Sequence, residues 1–211
     1  MNIDYRILAI LIGYCIGLLQ TAYIVGRLMG IDIRDHGSGG AGATNALRVM
    51  GRKAGAVVLI ADVLKAIIAF SVCALIWNGG GTFFGYGSVM PGLYGAVGAI
   101  LGHCFPFYLK FKGGKGFASA VGLVISLDIR LLLVGSVIWL GIVFATKFVS
   151  LATLAATLMM PIVLHLLGHS AEVVLLTSFT AALIWFLHRK NIGRLLNGVE
   201  NKISFSKKAV K

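Results

Sequence analysis

Apolar residues fall in seven runs, at roughly 7–28, 54–77, 89–109, 117–127, 131–146, 150–167 and 173–187. Stretches rich in glycine and basic side chains separate them. A helix needs about 20 apolar residues to cross a bilayer straight. The first three runs reach that length. The last four are shorter, and 117–127 is too short to cross alone at full thickness. The pattern predicts an all-α integral membrane protein, a compact bundle of seven transmembrane helices of which several are short. If the 117–146 hairpin only dips into the bilayer, five crossings remain.

Charge orients the bundle. With the amino terminus outside and seven crossings, Arg6 and Arg130 are the basic residues left outside and Lys65 falls within the second span. The other 16 of the 19 Lys and Arg lie inside. Cytoplasmic segments carry such an excess, so the carboxyl terminus is expected in the cytoplasm on either count. The amino end does not read as a cleaved leader. Arg6 alone precedes the first run, Asp4 stands beside it, and no small-x-small site follows. The first run is expected to stay as a span.

Composition agrees with the periodicity. Mean hydropathy is +0.94, and charged residues make up 12% of the chain, against about a quarter in soluble domains. That leaves no room for a sizeable soluble domain. Residues 1–190 read as the transmembrane domain and 191–211 as a cytoplasmic basic tail. In that tail Ile192, Leu195, Leu196, Val199 and Ile203 recur at helical spacing, as in a helix lying on a bilayer. The net charge of +12 points to an anionic lipid surface and an anionic substrate. No RNA- or DNA-reading signature accompanies it, so nucleic acid is not expected as a partner. Cys15, Cys73 and Cys104 are odd in number, lack a C-x-x-C spacing and lie in or beside apolar runs. They read as small buried hydrophobes rather than as metal ligands or a disulfide framework.

Two glycine-rich stretches carry the candidate chemistry. The first is Gly37-Ser38-Gly39-Gly40-Ala41-Gly42-Ala43-Thr44-Asn45-Ala46-Leu47-Arg48. Gly37, Gly39 and Gly42 match G-x-G-x-x-G, but no strand precedes them, so a dinucleotide site is a poor reading. As an oxyanion cradle the stretch fits better, with Ser38, Thr44, Asn45 and Arg48 adding donors before the next helix. The second runs Phe111-Lys112-Gly113-Gly114-Lys115-Gly116-Phe117-Ala118, shortly after His103-Cys104-Phe105-Pro106. It lacks the Walker A spacing, yet it offers backbone donors and two ammonium groups just before a helix.

Two further groups stand out. His188 and Asn191, three apart at the end of the last run, share a helical face and could orient a hydroxyl or take its proton; a helix-end cap is the plainer reading of the histidine. Asp62 and Lys65 are three apart inside the second span. They could pair, either as a purely structural feature or as the lining of a polar site. The chain has no G-x-S-x-G, no H-E-x-x-H, no H-x4-D and no metal-type carboxylate cluster. No metal or cofactor is expected, no covalent intermediate, and any substrate should arrive already activated.

These residues resemble a known family, the bacterial acyl-phosphate:glycerol-3-phosphate acyltransferases called PlsY, over nearly the whole length. Ala22-Tyr23, Gly30-Ile31-Asp32-Ile33-Arg34 and the Gly37–Arg48 stretch look like its first motif. Asp62-Val63-Leu64-Lys65 resembles the element after it. Gly102-His103, Pro106 and Phe111–Ala118 look like the second motif, which the family uses as a phosphate-binding loop. Ser150-Leu151 resembles a shorter element, and His188, Asn191, Arg194, Leu195 and Glu200 look like the third motif. The chain departs from the family at Leu18 and Gln20, where Ser and Pro are usual, at Gly40-Ala41, where Asn-Pro is usual, and at Lys147, where Arg is common.

The resemblance implies a multi-pass enzyme of the bacterial inner membrane whose active site faces the cytoplasm. It would move a fatty acyl group from acyl phosphate to the 1-hydroxyl of glycerol 3-phosphate, giving lysophosphatidic acid and phosphate for phospholipid synthesis. The expected partners are those two substrates and membrane lipids, and the expected state is a monomer. Ser38, Arg48, Lys115, His188 and Asn191 are the expected catalytic residues. Gly37, Gly39, Gly42, Thr44, Asn45, Lys65, His103, Lys112, Gly113, Gly114, Gly116 and Ser150 are expected around the phosphates, with Asp62 and Glu200 structural. Which loop holds which phosphate stays open, as does the proton acceptor. A transporter or channel for a phosphorylated anion is the rival reading. Against it, no inverted repeat is apparent and the charged motifs gather on one face. A non-catalytic lipid-binding subunit fits the three motifs least.

Overall fold

The computed structural model describes residues 4–78 and 88–203. The part of the basic tail beyond 203, with Lys207, Lys208 and Lys211, lies outside the described residues. Among the described residues the chain is all helical: α1 (Tyr5–Gly17), α2 (Thr21–Leu28), α3 (Ala43–Asn78), α4 (Met90–Cys104), α5 (Phe117–Leu127), α6 (Ile129–Thr146), α7 (Val149–Leu166), α8 (Ala171–Leu187) and α9 (Arg189–Leu196). Five stretches there are long and apolar enough to cross a membrane: Tyr5–Leu28, Ala43–Trp77, Met90–Leu109, Ile129–Thr146 and Val149–Leu166. The pair α8 and α9, bent by 59°, makes a sixth if counted as one span, and α5 is a shorter apolar helix.

The helices group into two compact units that divide after Asp128. In unit 1, α1 packs on α4 through small residues. Side chains at Gly13 and Gly17 would collide with the backbones of Gly95 and Ala99, and those at Gly98 and Gly102 with the carbonyls of Ile10 and Tyr14. With almost no side chain between them, the two backbones touch, as small residues allow in lipid. Gly122 of α5 meets the Val63 carbonyl of α3 in the same way. Leu11, Ile60 and Leu75 are among the large apolar side chains left exposed. On a spanning helix such residues face acyl chains. Of the cysteines, Cys73 and Cys104 are buried as expected, but Cys15 is exposed on α1.

One run is broken where the periodicity read it as continuous, and the helix that carries another begins well before its run. The first parts into α1 and α2 at Leu18–Gln20. The freed carbonyls there take side-chain donors: Tyr108 Oη reaches Leu18 O at 2.6 Å and Lys65 Nζ reaches Leu19 O at 2.9 Å. The second starts earlier, at Ala43, and α3 breaks at Gly51 (φ 86°, ψ −177°). That conformation suits glycine alone. Its two arms lie so close that a side chain on Gly55 would strike Leu47.

Unit 2 holds α6 to α9. Buried Thr157, Thr177 and Thr180 return their hydroxyls to carbonyls one turn back, at 2.8, 2.8 and 2.9 Å. Such back-bonding satisfies a polar group without a partner helix. Trp185 Nε1 donates to Leu154 O at 3.2 Å and ties α8 to α7. Ser170 caps α8 by accepting the Val173 N–H at 3.4 Å. The tail helix is shorter than its apolar pattern: α9 ends at Leu196, and Gly198 (φ 69°) turns the chain away. Val199 and Ile203 lie beyond it, and the Ile203 N–H donates to Lys147 O at 2.8 Å.

Candidate active site

The second glycine-rich stretch is folded back over the end of α4. Phe105 (φ −128°, ψ 57°) leaves the helix and Pro106 opens a 3-10 turn over Phe107–Leu109. Lys110 and Phe111 then take left-handed conformations, at φ 55° and 59°, which reverses the chain. Gly113 and Gly114 return their N–H groups to the Cys104 and His103 carbonyls, at 3.2 and 3.1 Å. A side chain on Gly114 would overlap the His103 ring, and one on Gly113 the His103 carbonyl. Gly116 stands before α5, whose first N–H groups have no partner within the helix.

The first stretch is shaped by one side chain. Asn45 is buried; its Nδ2 donates to the carbonyls of Ile33 (3.2 Å), His36 (3.0 Å) and Gly40 (3.0 Å), and its Oδ1 accepts the Ser38 N–H at 2.9 Å. Ile33 and Ala41 from the loop pack with Ala22 of α2 and Ala46 and Val58 of α3. Arg34 clamps Asp32 through two bonds, Nε to Oδ1 at 2.9 Å and Nη2 to Oδ2 at 2.7 Å. It also lies over the Tyr23 ring and donates to Leu109 O at 3.3 Å. The hydrogen bonds from Arg34 hold the Asp32 carboxyl down to about 2.

The two stretches meet. The Ala41 N–H donates to Gly113 O at 3.4 Å. A side-chain carbon on Gly40 would stand 3.9 Å from Ser38 Oγ and 4.0 Å from Lys115 Cε. Thr44 and Arg48 are exposed on the first arm of α3, Lys112 is exposed and Lys115 half-buried. Beneath this junction lie Asp62, Lys65 and His103, all buried. Lys65 Nζ donates to Asp62 Oδ1 at 2.7 Å and lies 2.7 Å from His103 Nδ1. Gln20 Nε2 braces the same corner with donations to Gly102 O (3.3 Å) and His103 O (3.1 Å).

Unit 2 carries the other candidates. His188 sits at the bend between α8 and α9, and its Nδ1 bonds Ile184 O at 2.8 Å. A carbonyl can only accept, so Nδ1 carries the hydrogen and a neutral ring has its lone pair on Nε2. Glu200 gathers three donors: Ser150 Oγ (3.1 Å) and Asn191 Nδ2 (2.8 Å) on Oε1, and Arg194 Nε (2.6 Å) on Oε2. Burial opposes its ionisation, but the bonds from Asn191, Arg194 and Ser150 outweigh it and keep the carboxyl below its ordinary range.

The family model described as "Glycerol-3-phosphate acyltransferase" matches residues 7–198. The chain belongs to the glycerol-3-phosphate acyltransferase family. The member from Allorhizobium ampelinum is 38% identical over 205 residues, covering 96% of this chain and 94% of that protein. The one from Endomicrobium trichonymphae is 40% identical, covering 96% and 98%. The crystal structure of PlsY, an integral membrane glycerol 3-phosphate acyltransferase, superposes in its glycerol 3-phosphate form with a TM-score of 0.84 at 31% identity, over 95% of this chain and 96% of that one. Its lysophosphatidic acid form gives 0.82 at 30%.

In this acyltransferase-family chain the structure brings Ser38, Gly39, Lys115 and the Gly113–Gly114 turn together in unit 1, and Ser150, Asn191 and Glu200 together in unit 2. It also changes what several of them offer. Asn45, read as a donor to phosphate, has both amide hydrogens on loop carbonyls, so it supplies the loop's shape. Gly113 and Gly114, read as backbone donors, have spent their N–H groups on α4. Lys65, read as a phosphate ligand, is buried with every ammonium hydrogen engaged. Three residues with a clear part in the site were not singled out as site residues: Gln20, Asp32 and Arg34. The i, i+2 spacing of Asp32 and Arg34 was visible. Gln20 carried no such signal, since the carbonyls that tie it to α4 are more than 80 positions away.

Proposed function

We propose that this protein transfers a fatty acyl group from acyl phosphate to the 1-hydroxyl of glycerol 3-phosphate, in the bacterial inner membrane with its site toward the cytoplasm. The observation that carries the proposal is the contact between two basic, glycine-rich stretches through Ala41 and Gly113. Each substrate carries a phosphate, and two phosphates brought side by side need adjoining cations. Lys112, Lys115 and Arg48 are the cations those stretches supply.

Glycerol 3-phosphate is assigned to the Lys112–Gly116 loop, held by the two ammonium groups and the start of α5. The acyl-phosphate head is assigned to Ser38, Gly39, Thr44 and Arg48. The hydroxyl oxygen attacks the acyl carbon, the ester bond forms, and the bond to the phosphate oxygen breaks. An acyl phosphate is a mixed anhydride, so its phosphate leaves without prior activation. The hydroxyl proton goes to His188 Nε2 or to the departing phosphate. Most of the rate then comes from orientation and from countercharge at the developing oxyanion. Asn191 is assigned to positioning the hydroxyl.

The test uses purified protein in detergent with labelled glycerol 3-phosphate and one acyl donor at a time. Acyl phosphate should give lysophosphatidic acid, and acyl thioesters should not. Product from a thioester alone would overturn the donor, and no product from any donor would overturn the enzyme.

A further inference from the structure

Lys65 lies on α3 with 2% of its side chain exposed. Its ammonium has three hydrogens and three acceptors: Asp62 Oδ1 at 2.7 Å, Leu19 O at 2.9 Å and His103 Nδ1 at 2.7 Å. None remains for a substrate phosphate. The third acceptor is the informative one. A hydrogen on His103 Nδ1 would point at the ammonium, so Nδ1 carries the lone pair and the neutral ring carries its hydrogen on Nε2. Asp62 Oδ1, 3.5 Å from Nδ1, is engaged by the ammonium and does not draw a hydrogen there.

The other edge of the ring reaches the site. A side-chain carbon on Gly114 would fall onto His103 Nε2 and Cε1, and it would stand 3.0 Å from Ala41 O. The His103 carbonyl also accepts the Gly114 N–H at 3.1 Å. So the ring edge set by Lys65 rests where the two glycine-rich stretches join. Asp62 and Lys65 come from α3, Leu19 from the α1–α2 break and His103 from α4. One ammonium links three elements to the floor of the loops.

We infer that Lys65 is a positioning residue: by donating to His103 Nδ1 it fixes that ring with its hydrogen on Nε2, and the ring sets the Lys112–Gly116 loop against the Ser38–Gly42 loop. The inference rests on the phosphate-binding reading of those loops. A charge pair kept only for stability makes a different prediction. Replacing both charges by neutral groups of similar shape often preserves or restores stability, and function would then return with the fold.

The experiment compares the full chain with Asp62→Asn/Lys65→Met, both purified in detergent with 15N-labelled histidine. The His103 signal is assigned by its loss in His103→Gln. The wild-type ring should show a bare Nδ1 and a protonated Nε2 at neutral pH. In the double variant that pattern should be lost and the thermal midpoint kept. The KM for glycerol 3-phosphate should rise by about tenfold to a hundredfold, the scale of a small misplacement of a binding group, with a smaller change in kcat. Asp62→Asn alone strands the buried ammonium and should lower the thermal midpoint instead. A wild-type hydrogen on Nδ1 or a wild-type KM in the double variant would each overturn the inference. If the double variant does not fold, the wild-type tautomer decides it. A protein inactive with every donor would refute the acyl-transfer reading and leave the tautomer readout in force.

Discussion

Asn45 Oδ1 holds the Ser38 N–H at 2.9 Å while Asn45 Nδ2 donates to three carbonyls of the same loop. A carboxylate in its place would face those carbonyls with no hydrogens to give. Asn45→Asp should therefore cost about 1–3 kcal/mol for each buried group left unsatisfied. Thermal unfolding in detergent and acyl transfer should both fall. A variant with wild-type stability would remove Asn45 as the organiser of the loop.

Lys115 stands beside Gly40 at the junction. Lys115→Ala should raise the KM for glycerol 3-phosphate tenfold or more, because a charge-assisted contact is worth about 1.5–3 kcal/mol. Initial-rate kinetics check this, and unchanged values would take that loop out of the site.

Neighbouring glycines should respond differently. Gly114→Ala drives a carbon into the His103 ring and should destabilise by about 1–3 kcal/mol, as overpacking does. Gly40→Ala meets nothing nearer than 3.9 Å and should stay within about 0.5 kcal/mol. Midpoints of thermal unfolding for the two variants test the contrast.

His188→Asn can keep a donor for Ile184 O but offers no base. Stability should hold and kcat should drop about a hundredfold or more if the imidazole takes the proton. Full turnover would assign the proton to the leaving phosphate.

Acid should weaken the Asp32–Arg34 clamp in a defined window. The Asp32 carboxyl titrates at about 2 when folded, against an ordinary 3.8. Its contribution is complete above the ordinary value and disappears as pH falls through the folded one. The stability gap between wild type and Asp32→Asn should close between those two values; a constant gap would deny the clamp.

Much of this was legible in residue order. Run lengths gave the helical class, and glycine with Ser, Lys and Arg marked both loops, because curled backbone and countercharge need those residue types. Asp62 and Lys65 announced their pairing by spacing. What stayed hidden was direction. Nothing in the order says that the Asn45 amide turns inward or that Gly113 and Gly114 give their N–H groups to α4. The break at Leu18–Gln20 was also unreadable, since the apolar run continues across it and the donors at its carbonyls, Tyr108 and Lys65, come from distant positions; Gly51 lies ahead of the 54–77 run, where the apolar pattern assigned no helix. The tail failed for a local reason: Ile203 keeps the helical count while Gly198 ends the helix.

Lys65 and Asp62 lie one turn apart on a single helix. They can therefore neutralise each other before His103 of α4 has been made. During biogenesis the apolar stretch 54–77 of α3 can leave the insertion machinery net neutral, which lowers the barrier that a lone ammonium would raise in lipid. Later helices then find an anchor already assembled, and the order of synthesis matches the order in which the polar centre is completed.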